Sequence, residues 1–157
     1  MVLIIVLIGM LVLTSKFQKT KAWTGTIYIR ADGSVSPSTA PIKRDGNTYT
    51  LTGNITSETY GIMIQRNNIT LDGAGYTVQG VHAPLSEGIP LYSRKNVTIK
   101  NIKVQGFHYA IYLYYSSPDN TISGNNMTDN NYGIRLQIDS HHNKIIGNNI
   151  TANNFYG

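Results

Sequence analysis

The sequence predicts an all-β fold, a parallel β-helix, and three observations lead there. The first is a repeat. A Gly or Ala followed by Ile, one variable residue and Ile or Leu recurs at GIMI (Gly61 to Ile64), GIPL (Gly88 to Leu91), AIYL (Ala110 to Leu113) and GIRL (Gly133 to Leu136). The starts at 61, 88, 110 and 133 are spaced by 27, 22 and 23 residues, a period that belongs to solenoids and arrays. The second is alternation inside each copy: Ile111 and Leu113 alternate with Tyr112 and Tyr114, and Ile134 and Leu136 with Arg135 and Gln137. Period two marks a strand with one buried face. The third is the Asn and Gly clusters between strands, residues that tolerate left-handed angles and tight corners. No convincing helical stripe follows residue 25, and the leucine-dominated consensus of a leucine-rich repeat is missing.

Three short strands per repeat make one coil. Coils stack at the strand spacing of ~4.8 Å, so equivalent residues lie above one another. Ile62, Ile89, Ile111 and Ile134 are expected to form one interior stack, and Ile64, Leu91, Leu113 and Leu136 a second. Ile99, Ile122 and Ile145 form a third, and Val104, Met127 and Ile150 continue the pattern. At the corners Asn125 is expected on Asn148, and Asn131 on Asn154, with amides bonded from coil to coil. About four coils are recognisable within 59–157. Tyrosine precedes most copies, at Tyr60, Tyr109, Tyr132 and Tyr156, and a fifth copy would begin at Gly157. No atypical capping unit is visible, so the reading expects further coils beyond that point.

Residues 23–58 do not match the repeat. TIYIRADG and NTYTLTGN flank a Ser/Pro loop, SVSPSTAP, and read as the first strands and an N-terminal cap. The segment carries too few apolar residues for a core of its own. Residues 1–22 read as a signal peptide or N-terminal anchor, because VLIIVLIGMLVL is a continuous apolar run shorter than a confident membrane span. Cleavage is expected after Ala22. Lys16, Lys19 and Lys21 follow the run and none precedes it, an arrangement that opposes export and points to a start further upstream. The formal charge of +5 falls to +2 without those three lysines. No basic run with interleaved aromatics exists, so nucleic acid is not an expected partner. The absence of cysteine excludes disulfides and zinc–thiolate sites.

TIYIRADGSV, API and GNTYTLTGNI, followed by NITLDGAGYTVQG and the repeats of GI.L with N.I.GNN(I/M)T.NN, resemble secreted right-handed β-helix proteins labelled NosD-like or periplasmic copper-binding, many of them archaeal surface proteins. The similarity runs from Thr26 onward. It implies a right-handed solenoid, in keeping with the general handedness of parallel crossovers, and a secreted or cell-surface location. It also raises copper handling, since NosD is associated with copper delivery to a reductase. No residue here matches a defined copper motif, so no site carries over.

His82, His108, His141, His142 and Met127 are of types that suit copper, but the alignment puts the histidines at different corners and Met127 in the core. No cofactor is expected, with copper as the one exception left open. Glycan hydrolysis needs paired carboxylates, and a lyase needs an acidic calcium cluster with a base. Asp72, Glu87, Asp119, Asp129 and Asp139 occupy different positions of different coils, and Asp72 reads as a turn residue. The outward rows Met63, Pro90, Tyr112, Arg135 and Gln65, Tyr92, Tyr114, Gln137 are more suggestive. They place Tyr92, Tyr112 and Tyr114 on one exposed sheet, with Tyr115 at its edge and Arg135 beside them. Tyrosine offers a sugar an apolar face and a polar tip, although it is also simply a good strand residue. Asn54, Asn68, Asn96, Asn126 and Asn149 each begin an N-x-T triplet, an acceptor for N-glycosylation in an exported chain, with Asn96 the first choice.

These observations predict an exported, non-catalytic β-helix surface module that binds polysaccharide or cell-surface glycan, or serves as a structural stalk. A carbohydrate-active enzyme, a lyase or hydrolase whose catalytic coils lie outside this stretch, is the second reading. Copper handling is the third. Membrane contact is expected only through the N-terminal apolar segment.

Overall fold

The structure is a computed structural model that describes residues 22–155. The N-terminal apolar run with its lysines, and the start of a fifth copy at Tyr156 and Gly157, lie outside the described residues.

After β1 (Trp23–Thr24), the chain winds through five stacked coils. The first holds β2 (Ile27–Ile29), β3 (Val35–Ser36), β4 (Ile42–Asp45), β5 (Thr48–Leu51) and β6 (Ile55–Thr56). β3 and β4 are antiparallel additions, on β2 and β5. The next four coils hold three strands each. These are β7 (Ile62–Ile64), β8 (Ile69–Asp72) and β9 (Thr77–Gln79), then β10 (Glu87–Tyr92), β11 (Val97–Lys100) and β12 (Lys103–Gln105). β13 (Tyr109–Tyr114), β14 (Thr121–Ser123) and β15 (Asn126–Thr128) follow, then β16 (Tyr132–Gln137), β17 (Lys144–Ile146) and β18 (Asn149–Thr151). Apart from the two antiparallel additions, every ladder is parallel and joins one coil to the next. The fold is a parallel β-helix of five coils. Residues of the expected cap supply the first coil, so the stack is one coil longer than the four visible as repeats.

The interior follows the predicted register. Ile89 pairs with Ile111 and Ile111 with Ile134, while Leu91, Leu113 and Leu136 line up beside them. Leu71, Ile99, Ile122 and Ile145 form the second column, and Val78, Val104, Met127 and Ile150 the third. All members up to Met127 are buried, whereas Leu136 and Ile145 in the last coil are exposed. Each interior column is continued by the coil above it, and among the described residues nothing lies over the fifth.

Asparagine amides tie the corners. The Asn120 Oδ1 accepts the Val97 N–H at 2.9 Å, and its Nδ2 donates to the carbonyls of Arg94 and Ser117 at 3.0 Å. Asn125 and Asn130 do the same for Ile102 and Phe107 and for the carbonyls of Ile99 and Val104. Asn143, Asn148 and Asn153 repeat the device one coil later. A corner breaks the sheet ladder and leaves backbone groups without a strand partner. A buried amide, with one acceptor and two donors, replaces that partner. The expected pairs are present, Asn125 to Asn148 at 3.0 Å and Asn154 to Asn131 at 3.0 Å.

One joint departs from regularity. β7 and β10 lie side by side yet share only an isolated bridge, Tyr60 to Glu87. Beyond that bridge Arg94 reaches across, and its guanidinium donates to the Gln65 carbonyl at 2.9 Å and the Tyr92 carbonyl at 2.9 Å. β7 and β10 therefore stay side by side, with Ile62, Ile64, Ile89 and Leu91 all buried, without a ladder between them.

A tyrosine-walled pocket with a buried carboxylate

The connection before β10 is unusually long. Residues 80–86 precede it, whereas 106–108 and 129–131 suffice before β13 and β16. This is where most of the extra length in the 27-residue spacing is spent. The loop rises beside the outer face of β10 and β13, and Leu85, 71% exposed, forms one lip. Together they enclose a pocket of about 470 Å³, lined by Tyr60, Leu85, Glu87, Tyr92, Tyr109, Tyr112, Tyr114 and Tyr115.

A bend at the start of each long strand aims these side chains. Glu87 pairs with Tyr109 and Tyr109 with Tyr132, and the next residue, Gly88, Ala110 or Gly133, is skipped in the pairing. The skipped residue sits over the interior. A Cβ on Gly88 would come within 2.5 Å of the Ala110 carbonyl oxygen and of the Val104 side chain, which explains the glycine. The residue before the bend thus faces outward, in a column running Tyr60, Glu87, Tyr109, Tyr132. Glu87 is the one break in a column of tyrosines.

Glu87 is 7% exposed. Its Oε2 accepts a 2.5 Å hydrogen bond from the Tyr92 hydroxyl. Its Oε1 has no protein partner and is not sealed from solvent, since every fully buried side-chain polar atom among the described residues is bonded. Burial pushes the Glu87 carboxyl above the usual carboxylate range, and the Tyr92 hydrogen bond offsets only part of this. Burial, and then the hydrogen bond to Glu87, push the Tyr92 hydroxyl up in turn. No Lys, Arg or His lines the pocket.

The rings pack on one another. Tyr112 is stacked between Tyr109, with centroids 4.7 Å apart, and Tyr114, at 5.2 Å, and Tyr92 meets it edge-on at 6.3 Å. Its hydroxyl donates to Gln137 Oε1 at 2.7 Å. Tyr112 does face outward, as the alternation predicts, but it is only 8% exposed, because neighbouring rings cover both its faces. The surface is a pocket and not the flat platform expected from the rows. Tyr92 and Tyr114 are half-buried in its wall, and Tyr115, 53% exposed, forms the second lip. Arg135 lies outside it. Its guanidinium covers Tyr109 at 5.2 Å and Tyr132 at 5.1 Å, on the side away from Glu87.

The remaining sequence candidates are scattered. His82 pairs with Asp129 at 3.4 Å, and His141 and His142 touch each other through Nδ1 at 3.0 Å near Asp119. His108 accepts from the Asn131 amide at 2.8 Å, and burial with Arg135 nearby lowers its pKa. Met127 is in the core. Asp72 is the turn residue expected, with Oδ1 accepting the Ala74 N–H at 2.9 Å. Among the N-x-T asparagines, Asn96 donates to Asn68 at 3.0 Å and Asn149 to Asn126 at 3.4 Å, while Asn54 accepts the Thr77 N–H at 2.9 Å.

Solenoid and pocket together define an all-β repeat protein with one aromatic concavity built into its side. The family model described as "Periplasmic copper-binding protein (NosD)" matches residues 32–157, and the chain belongs to that family. No curated protein and no solved structure matches it. The family description names copper, but the described residues do not fit a copper centre. Among the described residues no three His, Cys, Asp or Glu side chains converge, and Met127, the thioether near the later coils, is sealed in the core.

Proposed function

We propose that this chain is an exported, non-catalytic β-helix module that binds a glycan in the tyrosine-walled pocket. The observation that carries the reading is the convergence of tyrosines from three successive coils, together with Leu85 of the long loop, on one open concavity of about 470 Å³. A sugar ring offers apolar C–H faces and a rim of hydroxyls. Tyr92, Tyr114 and Tyr115 supply ring faces and edges with phenolic oxygens beside them, a match for such a ligand. The rest of the fold holds these rings still: stacked strands at ladder spacing, buried amides at the corners, and a bend fixed by Gly88.

A single aromatic contact contributes ~1 kcal/mol, so three rings support a Kd on the order of 10 mM. Tight attachment to a polymer then comes from several copies acting together. The leader-like N-terminus and the periplasmic description of the family support the exported part of this reading. The test is titration of the full chain with soluble oligosaccharides, followed by tyrosine fluorescence. Saturable binding that Tyr92→Ala with Tyr114→Ala removes, with the melt retained, is expected. No response to any sugar at tens of millimolar would leave the rings as packing for a structural stalk.

A further inference from the structure

We infer that the pocket takes an organic ammonium group, as carried by an amino sugar, with Glu87 as its counter-ion. The inference rests on the glycan reading for the sugar but not for the charge. Its first support is the geometry of Glu87. Glu87 is 7% exposed, and a carboxylate on so buried a residue normally has a cation or several N–H donors beside it, because desolvating a charge is costly. Here it has one phenol, and its Oε1 is left without a protein partner at the pocket floor.

The second support is the company it keeps. Tyr60 and Tyr109 flank it in the column, and Tyr92 and Tyr112 stand next to it. The nearest cation of the neighbouring coil, Arg135, is turned onto Tyr109 and Tyr132 from outside the pocket. Aromatic faces around a carboxylate with no basic residue form a site of net negative potential. A cation there gains both from the ring quadrupoles and from the carboxylate. An ammonium group, with three N–H donors and a small radius, reaches Oε1 and still leaves the sugar ring against Tyr92 or Tyr114. A neutral sugar would stack equally well but leave Glu87 unpaired. The third support is the sequence position: the repeat places tyrosine before the bend at 60, 109 and 132, and only the coil bordered by the long loop carries an acid there.

The experiment titrates the full chain, wild type and Glu87→Gln, with three probes at a pH where amines are protonated. These are glucosamine trimer, its fully N-acetylated form and tetramethylammonium. The expected result is binding of the amine trimer about tenfold tighter than its acetylated form, with the preference lost in Glu87→Gln while the melt is retained. Equal binding of both trimers, or an unchanged preference in Glu87→Gln, overturns the ammonium inference and leaves the glycan reading standing. Binding of tetramethylammonium, abolished in Glu87→Gln, without binding of either trimer, upholds the cation site and overturns the glycan reading. No binding of any probe overturns both.

Discussion

Removing the amide of Asn120 isolates the contribution of a corner bridge. In Asn120→Ala the Ser117 carbonyl keeps a second donor, the Asn143 amide at 2.9 Å. The Val97 N–H and the Arg94 carbonyl have no other bond at that corner and become unpaired beside a fully buried site. Each buried orphan costs about 1–3 kcal/mol, so the loss should be about 4 kcal/mol. That is a large share of a typical total of about 5–15 kcal/mol. For a domain of this size it corresponds to a fall in Tm of roughly 10 °C. Asn143→Ala removes the equivalent side chain one coil later but orphans only the Asn120 N–H, since the Ser117 carbonyl keeps the Asn120 amide at 3.0 Å, and should cost about 1 kcal/mol. Asn120→Asp keeps the volume and the acceptor but turns a carboxylate oxygen toward two carbonyls, so it should fall at least as far as Ala. Thermal and urea unfolding, followed by far-UV circular dichroism, measure all three. Equal losses at Asn120 and Asn143, or an Asn120→Asp variant as stable as wild type, would refute the bridging role and leave side-chain packing as the explanation.

Three further outcomes are expected. Ile111→Asp buries an unpaired charge in the interior stack and should abolish the cooperative melt at a cost of several kcal/mol. Tyr112→Asp should cost about 2–3 kcal/mol, from two ring contacts at ~1 kcal/mol each and lost burial, whereas an unchanged melt would show that the ring layer is not packed. Glu87 should make the protein less stable as pH rises. Its folded pKa is raised, so its contribution is fully present below the unfolded value of about 4.3 and is lost as pH climbs through the folded one. The groups facing it are Tyr60, Tyr92, Tyr109 and Tyr112, with Arg135 beyond Tyr109. The Tm of Glu87→Gln relative to wild type should therefore be higher at pH 7 than at pH 4; a constant difference would show that the carboxyl is not desolvated.

The solenoid was legible because a stacked fold repeats its constraints at a fixed interval. Ile89, Ile111 and Ile134 must be apolar for the same reason, and Asn125 and Asn148 must be amides for the same reason. Residues 23–58 were less legible, since Ile27 and Tyr49 enter the same columns without the repeat's wording. The pocket was legible only in part. Period two gives the direction in which Tyr112 points, but not that Tyr109 and Tyr114 of the same strand fold over its two faces, because alternation fixes the side of the sheet and not the rotamer. Arg135 aligns with Tyr112 in the rows, yet its long side chain folds back over Tyr109 and Tyr132. Glu87 did leave two signals, the acid within a tyrosine column and the long spacing just before it. They mean little apart and become a site only when the loop is seen to wall the column. The open ladder between β7 and β10, with Arg94 across it, left no signal of its own.

The claim that the tyrosine-walled pocket is the ligand site is tested most directly by NMR of the full chain with labelled tyrosine rings, titrated with glucosamine trimer. Tyr60, Tyr92, Tyr114 and Tyr115 border the pocket, whereas Tyr28, Tyr49 and Tyr76 lie on other parts of the solenoid. Saturable shifts confined to the first set are predicted. Shifts centred on the second set, or no shift at tens of millimolar sugar, would contradict it.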